Sequence, residues 1–248
     1  MVLGIGALVA WPALSDSWRS WRDDRRIDQA RQLHRADRPE EALALFAKIL
    51  EGSTPAERSP NQVRALLGQA EVLSSSLGDV EGARRLLDEA LVEARRFGDP
   101  VLEADVLGQH GLFFWYYQRQ RHRPLDEFYT PALRLYQEAG DRLGEANAHS
   151  WIGLVHLSRA DYESSARHLE AGRALYEALE DDSGRCSAHR FLGALQSQLE
   201  RTDLALRHFD RALELCRRTN DLRGLRSRSS SLCSPSRGRR RPTVAIPG

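Results

Sequence analysis

The chain repeats itself. GDRLGEANAHSWIGL (140–154) lies over EDDSGRCSAHRFLGA (180–194) at a shift of 40, with Asp141 on Asp181, Gly144 on Gly184, Ala148 on Ala188, His149 on His189 and Gly153 on Gly193. The register runs on from RHL (167–169) to RHF (207–209), and again to Asp221 and Gly224. Towards the N-terminus, GDPVLEADVLGQHGL (98–112) meets 140–154 at a shift of 42. A period of about 20–50 residues signals an array of stacked supersecondary units.

Each unit reads as two amphipathic helices. In the last complete unit Phe191, Leu192, Ala194 and Leu195 form one apolar face, and Leu204, Ala205, Leu206, Phe209, Ala212, Leu213 and Leu215 form the other. Neither helix can bury its stripe alone, so neighbouring pairs must stack. Gly-Asp or Asn-Asp steps separate the units; glycine or asparagine ends one helix and aspartate caps the next. No sustained alternation of β-branched and aromatic residues signals a strand. Alanine, leucine, arginine and glutamate, all good helix formers, dominate the composition. The fold class is all-α.

Small residues recur at fixed places. Gly193, Ala205, Phe209 and Ala212 give a small residue midway through the first helix, then small, aromatic and small in the second. Ala30, Ala42 and Phe46 repeat this in the first unit, with Ile49 in the last small position. Ala83, Leu87 and Ala90 repeat it in the second. Gly153 serves the fourth unit, followed by a weaker Ser165, Leu169 and Gly172. Two closely crossing helices need such a residue at the contact, and a large one at Gly193 or Ala205 would overpack it. In this pattern the chain resembles the tetratricopeptide repeat, in a longer variant of about 40 residues similar to kinesin light chains and bacterial signalling arrays. The resemblance implies a right-handed α-solenoid of about five stacked helix-turn-helix repeats. It divides the chain into an apolar segment (1–21), a repeat domain (22–225) and a Ser/Arg/Pro-rich tail (226–248).

The third unit departs from the pattern. Its second helix contains Pro124 and Pro131. With Thr130 as N-cap and Pro131 as first helical residue, this helix is expected to be kinked or split.

FFWYYQRQRHR (113–123) ends the first helix of that unit. Five consecutive aromatics are spread around a helix, not gathered in one patch. With Gly111 as the small residue, the resemblance turns Leu107 and Phe114 to the partner helix, Phe113 and Tyr117 to neighbouring units, and Leu112, Trp115 and Tyr116 to the concave groove. Asn147, Ser150, Leu157, Arg190 and Gln198 complete the expected peptide-binding groove. Large aromatics at Trp115 and Tyr116 are unusual in this chain, since Leu157, Ser158, Ser197 and Gln198 hold the equivalent places. Packing against the kinked helix is the competing reading of both. Arg119, Arg121, His122 and Arg123 are read first as a solvated helix C-terminus.

Other chemistry finds little footing. There is no G-x-S-x-G elbow, phosphate loop or H-E-x-x-H, and GIGAL (4–8) lacks the rest of a dinucleotide loop. No catalytic residue, cofactor or metal is therefore expected. His149 with His189, and His168 with His208, are repeat equivalents and are read as repeat-encoded, not as ligands. Cys186, Cys216 and Cys233 show no metal spacing. Cys186 and Cys216 are read as buried free thiols, which favours a reducing, cytoplasmic compartment.

Charge divides the chain. Residues 1–222 carry a net −6, while seven arginines and no acid follow Asp221. The acidic body argues against nucleic acid. Arginine replaces lysine everywhere except Lys48, which reads as a GC-rich coding sequence, as in many bacteria. The tail is read as too polar to build a core. It is either a basic arm or an array cut short, as by a frameshift, the latter preferred because register is lost in mid-helix. The first 14 residues are uncharged and are followed by Trp18, Trp21 and several arginines. A membrane-spanning helix needs about 20 apolar residues, so this is a weak anchor, the inner half of a longer membrane helix, or an apolar cap on the first repeat. The expected function is a non-catalytic scaffold that binds a protein or peptide in its groove, as sensor or scaffold of a bacterial signalling system. The alternative is an assembly factor tethered to the cytoplasmic face of a membrane through residues 1–21.

Overall fold

A computed structural model describes the backbone of residues 6–52, 58–117 and 125–219, and the side chains of these from residue 19 onward. The readings of residues 226–248 and of the apolar side chains before residue 19 lie outside the described residues. Among the described residues ten α-helices follow one another: α1 Gly6–Arg35, α2 Pro39–Leu50, α3 Pro60–Val72, α4 Val80–Phe97, α5 Pro100–Tyr117, α6 Thr130–Ala139, α7 Arg142–Ser158, α8 Tyr162–Ala178, α9 Asp182–Gln198 and α10 Thr202–Arg218. They pair as five units and stack in order, each packing on the next. The fold is an all-α solenoid, as the repeat implies. α1 runs unbroken from the apolar segment into the first unit.

The joints follow a common plan. Asp79, Asp99, Asp141, Asp161 and Asp181 accept hydrogen bonds from the amides that open α4, α5, α7, α8 and α9. The preceding residue takes left-handed backbone. It is glycine at Gly78, Gly98 and Gly140, but Ala160 (φ 59°) and Glu180 (φ 54°) adopt the same conformation. An L side chain there costs about 1–2 kcal/mol, so the cap and the packing of the next helix hold these two joints in place.

Within a unit, the small residue meets the bulky one. A methyl added at Gly193 would stand 2.7 Å from the Phe209 ring, and one at Gly153 would stand 2.7 Å from Leu169. Ser165, the weak match of the fourth unit, is fully buried at this crossing and donates to the Gly153 carbonyl at 2.9 Å. Its hydroxyl therefore costs little in the core. Unit three keeps the same contact. Tyr129 lies 40 residues before Leu169, is 1% exposed, and its ring would stand 2.3 Å from a methyl at Gly111. Among the described residues its second helix is not split. A π-helical turn, Leu125–Tyr129, leads straight into α6, and Thr130 is the first helical residue and not its cap. The wider turn suits Pro131, which has no amide to give to a tight ladder.

A second contact joins units. Tyr136 donates from its hydroxyl to Asp105 Oδ1 at 2.7 Å, and Tyr176 to Asn147 Oδ1 at 2.7 Å. The ring of Tyr136 lies over Gly144 and that of Tyr176 over Gly184, where an added methyl would stand 2.1 Å away. Each tyrosine thus ties its own unit's first helix to the opening turn of the next unit. Cys186 and Cys216 correct the free-thiol reading. They are joined in a disulfide between α9 and α10, with Cα atoms 5.6 Å apart, inside the usual range.

Two outcomes are expected. Gly193→Val should lower stability by about 1–3 kcal/mol through overpacking, seen as a lower urea midpoint with an unchanged slope. Burial holds the Asp105 carboxyl above the usual carboxylate range, despite the Tyr136 hydrogen bond and the nearby Arg64. Its ionisation therefore weakens the fold as pH rises between the unfolded and folded values. Asp105→Asn keeps the acceptor, as Asn147 does one unit on. It should be more stable than the parent at neutral pH, with the gain vanishing below the carboxylate range.

Candidate functional site

First helices touch successive first helices: α1 with α3, α3 with α5, α5 with α7, and α7 with α9. Among the described residues, second helices do not pack on successive second helices to a comparable extent. The first helices therefore line the shorter, concave side. A cleft of about 170 Å³ opens there between α3 and α5. Its lining includes Glu71, Ser74, Gln109, Leu112, Tyr116 and Tyr117.

The aromatic run divides as helical geometry requires. Phe114 stacks on Phe128 of the π-turn, with ring centroids 5.1 Å apart, and His110 stacks on the same ring at 5.4 Å. Phe113 is 3% exposed in the core shared with unit two. Trp115 is half-buried against Leu125, Tyr129, Ile152 and Val155, so it packs on the π-turn and the next unit. Tyr117 reaches back to the preceding unit and donates to the Ser74 carbonyl at 2.7 Å. Tyr116 remains 65% exposed.

Of the expected groove residues, the structure brings Leu112 and Tyr116 together in the cleft. The others are spread along α7 and α9. Asn147 accepts from Tyr176, and Ser150 is 3% exposed beside the same hydroxyl. Leu157 packs on Leu169, Leu192 and Leu195. Arg190 lies over the Phe191 ring at 5.7 Å, and Gln198 is exposed at the end of α9. Glu71, Ser74 and Gln109 were not foreseen. Gln109 lies on α5 itself, one turn before Leu112 and two before Tyr116, but Glu71 and Ser74 meet the aromatics only across a boundary between units, which no pattern within one unit reveals. Behind Glu71 stands the buried His34, with Nδ1 3.6 Å from the carboxylate and Nε2 3.2 and 3.1 Å from the hydroxyls of Ser75 and Ser76.

The repeated histidines meet in pairs. Nδ1 of His149 stands 2.9 Å from Nδ1 of His168, and Nδ1 of His189 stands 3.0 Å from Nδ1 of His208. Ring centroids lie 5.1 and 5.3 Å apart, greater than the nitrogen separations by about two ring radii, so the rings meet head-on. This is the geometry of one N–H···N bond, with one nitrogen donating and the other accepting. No group of three or more metal-ligating side chains converges among the described residues.

Residues 144–218 match the tetratricopeptide repeat family model. The match covers units four and five, and the tetratricopeptide-like architecture extends through the helix pairs before them. No curated protein matches the chain in sequence. Among solved structures, it is similar to a signal transduction ATPase with numerous domains (STAND) carrying a tetratricopeptide repeat sensor, from Pyrococcus horikoshii. That likeness has a TM-score of 0.61 and 14% identity, over 84% of this chain and 31% of the other. The chain thus spans about a third of that protein. It is also similar to BtubC (BKLC) from P. vanneervenii, with a TM-score of 0.54 and 17% identity, over 94% and 98% of the two chains. A putative kinesin light chain of Podosopora anserina, built of nearly identical repeats, gives a TM-score of 0.54 and 10% identity over 80% and 96%. These likenesses are of fold.

Burial, and then the charge of the partner ring, push His189 down to about 4; burial does the same first for His168. Stability from such neutral rings is present above the ordinary histidine value and is lost as pH falls toward about 4. His189→Gln should lose less stability than the parent across that window, measured as urea midpoints against pH.

Proposed function

We propose that the array is a non-catalytic protein-interaction scaffold that holds a peptide or protein segment on its concave face, with Leu112 and Tyr116 at the centre of the contact. The observation that carries this reading is the 65% exposure of Tyr116 beside an open cleft. A large ring left in water next to a concavity is the kind of anchor that dominates recognition energetics. Trp115, half-buried against the π-turn and the next unit, is assigned to packing in this reading and not to the anchor.

A sensor or scaffold role in signalling forms part of the proposal. It draws on the likeness to the STAND protein with its tetratricopeptide repeat sensor. A tether through residues 1–21 is the second reading. It rests on the uncharged opening stretch, and no helix among the described residues is long and apolar enough to cross a membrane. The Cys186–Cys216 bond removes the free thiols on which the expectation of a reducing compartment rested.

A photo-crosslinking residue placed at Tyr116, compared with one at the exposed Val92 of α4, tests the groove. Protein adducts should form in native lysate from position 116 and not from 92, and Tyr116→Ala should weaken the captured partner by about tenfold or more. Equal adducts from both positions would overturn the reading.

A further inference from the structure

Two imidazole nitrogens that face each other across a helix crossing can share a proton or share a metal ion. In unit four His149 of α7 meets His168 of α8, Nδ1 to Nδ1 at 2.9 Å, and both residues are partly exposed. A tetrahedral ion held about 2.0–2.1 Å from each nitrogen sets two imidazole centroids about 5.2 Å apart and their nitrogens about 3.3 Å apart. The centroids of His149 and His168 already stand 5.1 Å apart. The rings therefore need only pivot in place, opening the nitrogens by about 0.4 Å, while the helices stay where they are. The proton count balances. The ring that donates in the free pair gives up its Nδ1 proton and takes one on Nε2 through water, so both Nδ1 lone pairs reach the ion and no net proton is released. Burial holds both rings below the ordinary histidine value, so neither carries a second proton at neutral pH.

The groups behind the pair distinguish one repeat from the next. Glu145 Oε1 lies 4.0 Å from His149 Nε2. Gln137 donates to the same oxygen at 3.1 Å, which holds the carboxylate in place and leaves its charge. A carboxylate behind a ligating imidazole fixes the tautomer and raises its basicity. His156 lies flat on His168 with centroids 5.7 Å apart and its own Nδ1 3.0 Å from Asp161, and Arg167 bears on His168 from α8. Unit five repeats the pair at 3.0 Å, but Arg185 takes the place of Glu145 and turns to Asp182. Arg173 and Arg211 bear on His189 there, with Glu177 opposing them.

We infer that His149 and His168 form a two-point site for a divalent ion of the zinc type, with water completing the tetrahedron, and that this site is tighter than the pair in unit five. The inference is independent of the groove reading. The expectation of no metal came from ligand spacing along the sequence, whereas this pair is made by a crossing. A bound ion ties α7 to α8 as the disulfide ties α9 to α10.

The test titrates zinc chloride into the full chain carrying Cys233→Ser, with the disulfide left oxidised, and follows the ring-nitrogen signals of isotope-labelled histidine. The signals are assigned through their own backbone amides, so the reading on the parent does not depend on any variant folding. Zinc should move His149 and His168 together and saturably, leaving both rings in the Nε2–H form. Glu145→Gln, shown to be equally helical by circular dichroism, should weaken binding about tenfold, and His189 and His208 should need about tenfold more zinc or beyond. His149→Gln should abolish the response of His168. Unmoved signals of His149 and His168 at millimolar zinc overturn the inference. So do earlier occupancy of His189 and His208, saturation confined to other histidines, or zinc held as tightly by His149→Gln as by the parent.

Discussion

Everything in this array depends on two helices crossing where one of them has almost no side chain. At Gly193 and Phe209, Gly153 and Leu169, and Gly111 and Tyr129, a bulky residue fills the space that a glycine leaves open. The close approach sets the angle within each pair, and that angle sets how the next pair can lie. Because the contact recurs every 40 residues or so, small changes in one unit shift the whole stack by a repeated amount. Interiors are packed too densely for such a crossing to widen without cost.

Much of this was legible in the residues. The period, the small and aromatic positions and the aspartate caps all act within about one unit, and local chemistry reports them. Three features were not. Tyr129 fills the aromatic position of unit three, but two prolines nearby pointed to a broken helix; the π-turn that keeps it continuous is a backbone solution with no side-chain signature. Gly144 and Gly184 read as markers at the start of a unit. Their role is to seat the rings of Tyr136 and Tyr176, which come from the unit before. His149 and His168 are 19 residues apart on different helices, so only the crossing brings their nitrogens to 2.9 Å.

The candidate groove shows the same division. Helical angles alone separate Phe113 and Phe114 from Tyr116, and they correctly forbid a single aromatic patch. They do not decide between Trp115 as anchor and Trp115 as packing, because that depends on a tertiary neighbour, the π-turn of its own unit. Nor do they supply Glu71, whose place beside Tyr116 is a property of the boundary between units. A binding surface on a solenoid is made at such boundaries, so its chemistry is a product of pairs of units and not of any one.

The disulfide has a bearing on how the array comes apart. A linear stack has no central core, and an end unit, with one neighbour in place of two, is the first to fray. Cys216 lies 40 residues after Tyr176, at the position that in earlier units reaches forward to the next one. In the last described pair that side chain is instead bonded inward to Cys186. The two helices of this pair cannot peel away separately. Opening that reaches this pair must lift α9 and α10 as one hairpin, parting at the seam between α8 and α9 and not between the two bonded helices.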